Sequence, residues 1–168
     1  NLMIRVNTFD RLNNLTKTND FHPTVLRFAT AYGLSPRPRF DLTVNEFVKE
    51  LTLKRKLKVF GEQFWRPYCH VYDLARAILT VINFKKEEIA YNVYNVGDTK
   101  ENYQKKMLIK EISKLLPNSN IEYIKKEEDP RNYKVNFDKI NRKLKFKTTK
   151  IVPDGISEIY NLIDDKLL

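Results

Sequence analysis

Apolar residues recur along this chain with two periods, one near 3.6 and one near 2, and turn-forming residues separate the blocks. Leu2, Val6, Phe9, Leu12 and Leu15 follow helical spacing and predict an amphipathic helix ending before Asn19 and Asp20. After Pro23, the run Thr24 to Thr30 reads as a buried strand that Gly33 ends. Thr43 and Glu46 have capping-box spacing, and Val44, Phe47, Val48 and Leu51 form the inner face of the helix they open. Val59 and Phe60 read as a short buried strand, Gly61 ends it, and Glu62, Gln63 and Phe64 make a turn. Trp65, Arg66 and Pro67 lead into an extended run from Tyr68 to Tyr72. Asp73 is then the expected N-cap of a helix whose apolar positions are Leu74, Ala75, Ala77, Ile78, Val81 and Ile82.

The second half repeats this grammar. Tyr91 to Gly97 alternates as a strand, with a loop from Asp98 to Asn102. Met107, Leu108, Ile109, Ile112, Leu115 and Leu116 predict a helix stopped by Pro117. Ile121, Tyr123 and Ile124 form a short strand, and Tyr133, Val135 and Phe137 alternate again after the acidic turn Glu127 to Pro130. Asp138 is the expected cap of a helix through Ile140 and Leu144, with Phe146 packing behind it. Pro153, Asp154 and Gly155 open a last helix with Ile156, Ile159, Tyr160 and Ile163 inside. Strands alternating with helices predict an α/β fold. No internal repeat or low-complexity linker divides residues 1–168, which read as a single domain.

Composition narrows the functional classes. The 168 residues, 42% of them hydrophobic and 12% aromatic, are enough for a folded core. The net charge of +10 is strong enough to attract nucleic acid or phosphorylated metabolites. The lysines, however, are spread over many segments, concentrating only at Lys54 to Lys58 and Lys139 to Lys150, which favours a solvated surface over a binding groove. No stretch is apolar enough to span a membrane and no signal peptide is evident. A single cysteine, Cys69, excludes an internal disulfide and fits a reducing, cytoplasmic compartment. The chain begins on Asn1 rather than methionine, as a trimmed protein or a piece of a longer one does.

Arg66 is the first candidate for chemistry. Pro67 restricts the backbone beside it, and its planar fork suits phosphate oxygens. Spacing alone also allows a surface salt bridge to Asp73 or Glu62. Ser35 to Arg39 is a proline-stiffened loop carrying Arg37 and Arg39. Arg131, beside Pro130, is a second braced arginine, with a salt bridge to Asp129 or Glu128 as its alternative use. His22 and His70 are the only histidines, and Cys69 and His70 are adjacent in a strand, where neighbours face opposite ways. Neither a nucleophilic dyad nor a metal site is expected, and Cys69 reads as a core residue.

Several segments together resemble the extended short-chain dehydrogenase/reductase superfamily, the NAD(P)-dependent nucleotide-sugar epimerases and dehydratases. Phe60-Gly61 followed by Arg66 to Ala75, RPYCHVYDLA, is similar to that family's vfGdG…R-D/P-Y/F-x-H-V-x-D-L/V-A pattern. Pro23 to Gly33 is similar to its late LR-x-x-N strand, Tyr94 to Gly97 to its yNvG strand, and Asp129 to Tyr133 to the R-x-x-D stretch before its last helices. The resemblance covers the chain from about Phe21 onward. It implies the C-terminal part of a Rossmann-type NAD(P)-binding fold with its small substrate-binding subdomain. It implies that Arg66 and Arg131 grip the two phosphates of a nucleotide sugar from opposite sides and that Val59 and Phe60 line the base pocket through backbone groups. Thr43 and Val44 would sit at the nucleotide end. Thr30 falls where many relatives carry an asparagine against the substrate, and here the sequence departs from the pattern.

The family's Gly-x-x-Gly-x-x-Gly turn and Tyr-x-x-x-Lys pair do not occur in this sequence, and by spacing the pair falls at Asn1 and Arg5 or upstream. The resemblance therefore implies the substrate-binding part of an enzyme that uses NAD or NADP when complete, with no catalytic residue assigned here and no activity expected of this part alone. A complete enzyme would oxidise a sugar hydroxyl, then epimerise, eliminate or reduce. The expected partners are a nucleotide sugar and either the missing N-terminal half or a second copy, because a half-sheet leaves an edge open. A catalytically dead binding or assembly module of the same family is the alternative, and a basic nucleic-acid-binding domain the less favoured one.

Overall fold

The computed structural model describes residues 21–166. The helix expected over residues 2–15 and the positions of Asn1 and Arg5 lie outside them. Among the described residues, seven short strands and six α-helices follow one another: β1 (Val25–Phe28), β2 (Thr30–Tyr32), α1 (Thr43–Thr52), β3 (Leu57–Phe60), β4 (Trp65–His70), α2 (Val71–Ile82), α3 (Lys86–Ile89), β5 (Val93–Val96), β6 (Asn102–Gln104), α4 (Lys105–Ile112), β7 (Ile121–Ile124), α5 (Asp138–Leu144) and α6 (Val152–Asp164). Strand pairing among the described residues is mostly parallel, β1 with β5, β2 with β4 and β3 with β7, while β6 runs antiparallel to β4. The expected α/β class is what forms.

Strand β4 divides the core. Tyr68 joins a cluster with Val44, Val48, Leu51, Val59, Ile112 and Ile156, built between α1, α4 and α6. Cys69, next along the strand, joins the other cluster with Leu74, Tyr94, Val96, Phe137 and Phe146. That is the period-2 alternation of a strand buried on both faces. The inner face of α1 forms as its spacing predicts, with Val44, Phe47, Val48 and Leu51 all buried.

Several local expectations are corrected. The Thr24 to Thr30 run is two strands: Ala29 N–H donates to Val96 O (3.1 Å) as the last rung against β5, and Thr30 then pairs with Tyr68. Phe28, at the end of that run, is exposed. In β3 only alternate residues are buried, so Val59 is in the core while Phe60 is 50% exposed. Thr43 lies inside the helix, which Leu42 caps without a side-chain bond, so no capping box forms. Strand β4 starts at Trp65 and stops at His70, which takes the cap that the sequence offers to Asp73: Tyr72 N–H donates to His70 Nδ1 at 3.1 Å. Helix α4 ends at Ile112, before the Pro117 stop. Phe137, not Asp138, occupies the α5 cap position, and Asp138 N–H is bonded by Asn136 Oδ1 (2.8 Å).

The alternating Tyr133 to Phe137 run is not a strand. The Asn102 side chain takes the place of a ladder partner, accepting from Val135 N–H (2.9 Å) and donating to Val135 O (3.0 Å). One side-chain amide thus fixes this segment beside β6, and Tyr133 N–H reaches Trp65 O (3.3 Å) to fix it beside β4.

Candidate functional site

The segments around β4 converge on one carboxylate. Arg66 Nη2 donates to Asp129 Oδ2 at 2.8 Å, and Arg66 Nη1 donates to Trp65 O at 2.8 Å. The guanidinium lies over the Tyr133 ring, 5.8 Å from its centroid. The Arg66 and Asp129 side chains are 11% and 4% exposed, so this is a nearly dry pair rather than a surface bridge. Its partner is neither Asp73 nor Glu62, the two that spacing along β4 suggests. Asp73 is consumed elsewhere, bonded to Arg76, Thr149 and Lys150.

Arg131 meets the same carboxylate. Its backbone N–H donates to Asp129 Oδ1 (2.9 Å) and its Nε approaches that oxygen at 3.5 Å. Most of the Arg131 side chain, 71%, remains exposed. Burial pushes the Asp129 carboxyl up, but the Arg131 N–H and the two guanidiniums outweigh it and hold the group below the usual carboxylate range. Two arginines 65 positions apart in sequence are therefore set on one anchor.

A third cation completes this corner. Lys105, the first residue of α4, donates from Nζ to Phe60 O at 2.6 Å. Burial, with Arg66, Lys126 and Arg131 nearby, lowers its pKa against the pull of Asp129. Sequence reasoning passes over Lys105 because β6, which delivers it to β4, is too short to read and falls partly in the expected loop. In the sequence Asp129 reads as part of an acidic turn and of a motif stretch, and as a possible partner of Arg131, but not as a partner of Arg66. The frame beneath these groups is cross-braced: Gln104 Nε2 donates to Gln63 O (2.7 Å), Gln63 Nε2 to Lys126 O (2.8 Å), and Lys106 N–H to Glu62 O (3.1 Å).

The remaining candidates are spread along the fold. Thr30 sits on β2 opposite Tyr68, two residues along β4 from Arg66. Thr43 is the first residue of α1, and Val44 and Val59 are buried in the core behind the strands. Phe60 is at the open end of β3, with its carbonyl engaged by Lys105. Arg39, in the proline-stiffened loop, makes an exposed two-point pair with Asp41 (2.6 and 2.7 Å). Burial pushes the Cys69 thiol up to about 12, which makes it a poor nucleophile. Among the described residues no group of three or more His, Cys, Asp or Glu is placed to hold a metal ion, and no helix is long and apolar enough to cross a membrane.

The four glycines show what the backbone can admit. A Cβ at Gly33 would meet the His70 ring, at Gly61 the Phe64 ring, at Gly97 the Phe137 ring and at Gly155 the Tyr32 ring. Each is closed by a side chain of this chain, so none leaves the open, glycine-lined turn over which a dinucleotide pyrophosphate lies.

A family model described as the NAD dependent epimerase/dehydratase family matches residues 9–97. Among solved structures, the chain is similar to a UDP-glucuronic acid 4-epimerase from Bacillus cereus, in complex with UDP-glucuronic acid and NAD, at 24% identity and a TM-score of 0.73. That match covers 86% of this chain and 46% of the other. It is similar to a UDP-glucose 4-epimerase from Thermotoga maritima with UDP-glucose, at 20% identity and a TM-score of 0.80, covering 97% of this chain and 52% of that one. A dTDP-glucose 4,6-dehydratase from Bacillus anthracis in complex with NAD matches at 24% identity and a TM-score of 0.69, over 84% of this chain and 44% of that one. At these identities the likeness is one of fold, a Rossmann-like α/β arrangement, and the chain spans about half the length of the structures it matches.

Proposed function

This chain belongs to the NAD-dependent epimerase/dehydratase family, and from that premise we propose that it is the substrate-binding part of a nucleotide-sugar epimerase or dehydratase. The observation that carries this reading is the pair of arginines on Asp129. Arg66 is mostly covered, aimed and already hydrogen-bonded, and Arg131 stands exposed beside it. Guanidiniums held this way meet phosphate oxygens with little reorganisation. The similar proteins from Bacillus cereus and Thermotoga maritima were solved with UDP-glucuronic acid and UDP-glucose, which supports a sugar nucleotide as the ligand here. On this reading Val59 and Phe60 line the base pocket through backbone groups. Thr30, Thr43 and Val44 carry the roles the resemblance gives them.

NAD or NADP would supply the hydride acceptor of the complete reaction. The described residues do not fit that group, because every glycine is blocked by a ring and no tyrosine is followed four residues later by lysine. We therefore propose binding without turnover for this chain by itself. Titration with UDP-, dTDP-, GDP- and CDP-sugars by calorimetry tests the reading. Saturable binding to one of them is expected, weakened about 10- to 100-fold in Arg66→Ala, the loss of one charge-assisted hydrogen-bonded contact. No saturable binding to any of the four, or an Arg66→Ala protein that is folded and binds undiminished, would sink it.

A further inference from the structure

Around Arg66 and Lys105 the cations outnumber the carboxylates that act on them. Lys105, two residues beyond the β6 residue that pairs with Arg66, feels Arg66, Lys126 and Arg131 as neighbouring cations and Asp129 as a neighbouring carboxylate. Both Asp129 oxygens are already taken, one by Arg66 and one by Arg131. Glu127, on the same loop, is turned toward Lys125, with Nζ 3.9 Å away. Lys105 forms no salt bridge among the described residues, and its one bonded partner is the Phe60 carbonyl at 2.6 Å. An ammonium has three N–H donors, so two remain for a ligand. Glu46 and Asp129 both act on Lys105, yet neither reaches it as an ion pair among the described residues, and half-burying a cation among other cations without a contacting carboxylate costs free energy that folding alone does not recover. A ligand bearing more than one negative charge would recover it.

Resting on the reading that a nucleotide sugar binds here, we propose that Lys105 is a third phosphate-binding cation and makes the site selective for a diphosphate link over a monophosphate. The geometry suits that division. Arg66 and Arg131 share the Asp129 anchor, while Lys105, at the start of α4, makes no ion pair with Asp129 and is held on the Phe60 carbonyl, so two phosphates serve the three cations better than one. The bonds from Gln104, Gln63 and Lys106 hold the three segments in register, so the cations cannot spread apart to relieve their repulsion.

The test titrates wild type, Lys105→Met and Lys105→Arg with UDP-, dTDP-, GDP- and CDP-glucose and with the matching nucleoside monophosphates. Lys105→Met is expected to weaken the diphosphate sugar about tenfold and the monophosphate much less, narrowing the gap between them. Lys105→Arg should restore it. Equal loss for both ligands would mark Lys105 as only a brace for Phe60 and overturn the proposal, as would no loss for either; both leave the nucleotide-sugar reading standing. Failure of wild type to bind any of the four sugars would overturn that reading and this one together. Should Lys105→Met not fold, pH replaces it. Wild-type affinity for the diphosphate sugar should fall as pH rises, and should do so below the ordinary lysine range because burial and the neighbouring cations lower the Lys105 pKa, while Lys105→Arg, whose guanidinium stays charged, does not follow. Parallel pH curves would refute a lysine contact.

Discussion

Replacing Asp73 with alanine is expected to cost about 3–5 kcal/mol, a large share of the roughly 5–15 kcal/mol that holds an ordinary domain folded. Asp73 is fully buried near the start of α2. Its carboxylate accepts from Arg76 Nη1 (2.7 Å), from Thr149 N–H and Oγ1 (2.9 Å each) and from Lys150 N–H (2.9 Å). It is the clasp between α2 and the extended segment that leads into α6. Alanine would leave two backbone N–H groups without partners as well as an uncompensated arginine. Asparagine should rescue little, since its NH2 group presents donors to donors. Urea unfolding reads the effect as a lower midpoint at unchanged slope; a midpoint within a few tenths of wild type would contradict it.

The same group makes stability depend on pH. Burial raises the Asp73 pKa, but the Lys150 N–H, Arg76 and Thr149 outweigh it, and the net direction is down. A depressed carboxylate contributes stability above its unfolded value of about 3.9, and that contribution disappears as pH falls through the lower folded value. Asp129, depressed for similar reasons, acts in the same direction. Acid unfolding should therefore begin below about pH 4 and lose part of its pH slope in Asp73→Asn, if that variant folds.

Gly33→Ala is expected to be the next most damaging single change. Gly33 closes β2 at φ +98°, where an L-residue is strained by about 1–3 kcal/mol. An added Cβ would also stand 2.2 Å from His70 Nε2. That ring cannot simply move. His70 Nδ1 accepts from Tyr72 N–H to cap α2, so the ring proton sits on Nε2 and is donated to Glu158 Oε2 at 2.8 Å. The Asn45 side chain brackets the glycine from the other side, accepting from Gly33 N–H (3.0 Å) and donating to Gly33 O (3.2 Å). Overpacking adds about 1–3 kcal/mol to the strain. A thermal melt should show a fall of many degrees, and a shift within about 2 °C would contradict this reading.

How much of this is written locally in the sequence varies by residue. The inner face of α1 and the ending of β3 at Gly61, with φ +58°, are fixed by spacing and by one glycine, and both form as they read. Tyr133, Val135 and Phe137 alternate as a strand does, yet Asn102, 33 residues away from Val135, replaces the missing ladder. The cap of α2 passes from Asp73 to His70 because a segment 76 positions downstream claims the carboxylate. In the candidate site, the motif resemblance names Arg66 and Arg131 as a pair, while Asp129, the anchor that joins them, comes only with the fold. Asp129 reads locally as part of an acidic turn, and Lys105 as one lysine among many. Both acquire a role because β6 and the loop after β7 arrive beside β4, which no local pattern encodes.

The most direct measurement is a crystal structure of the chain soaked with the nucleotide sugar that binds best. The diphosphate is expected between Arg66 and Arg131, with oxygens within hydrogen-bond distance of both guanidiniums and Asp129 still holding Arg66 from behind. A ligand bound elsewhere, or seated with Arg66 touching only Asp129 and the Trp65 carbonyl, would contradict the assignment of this corner as the phosphate site.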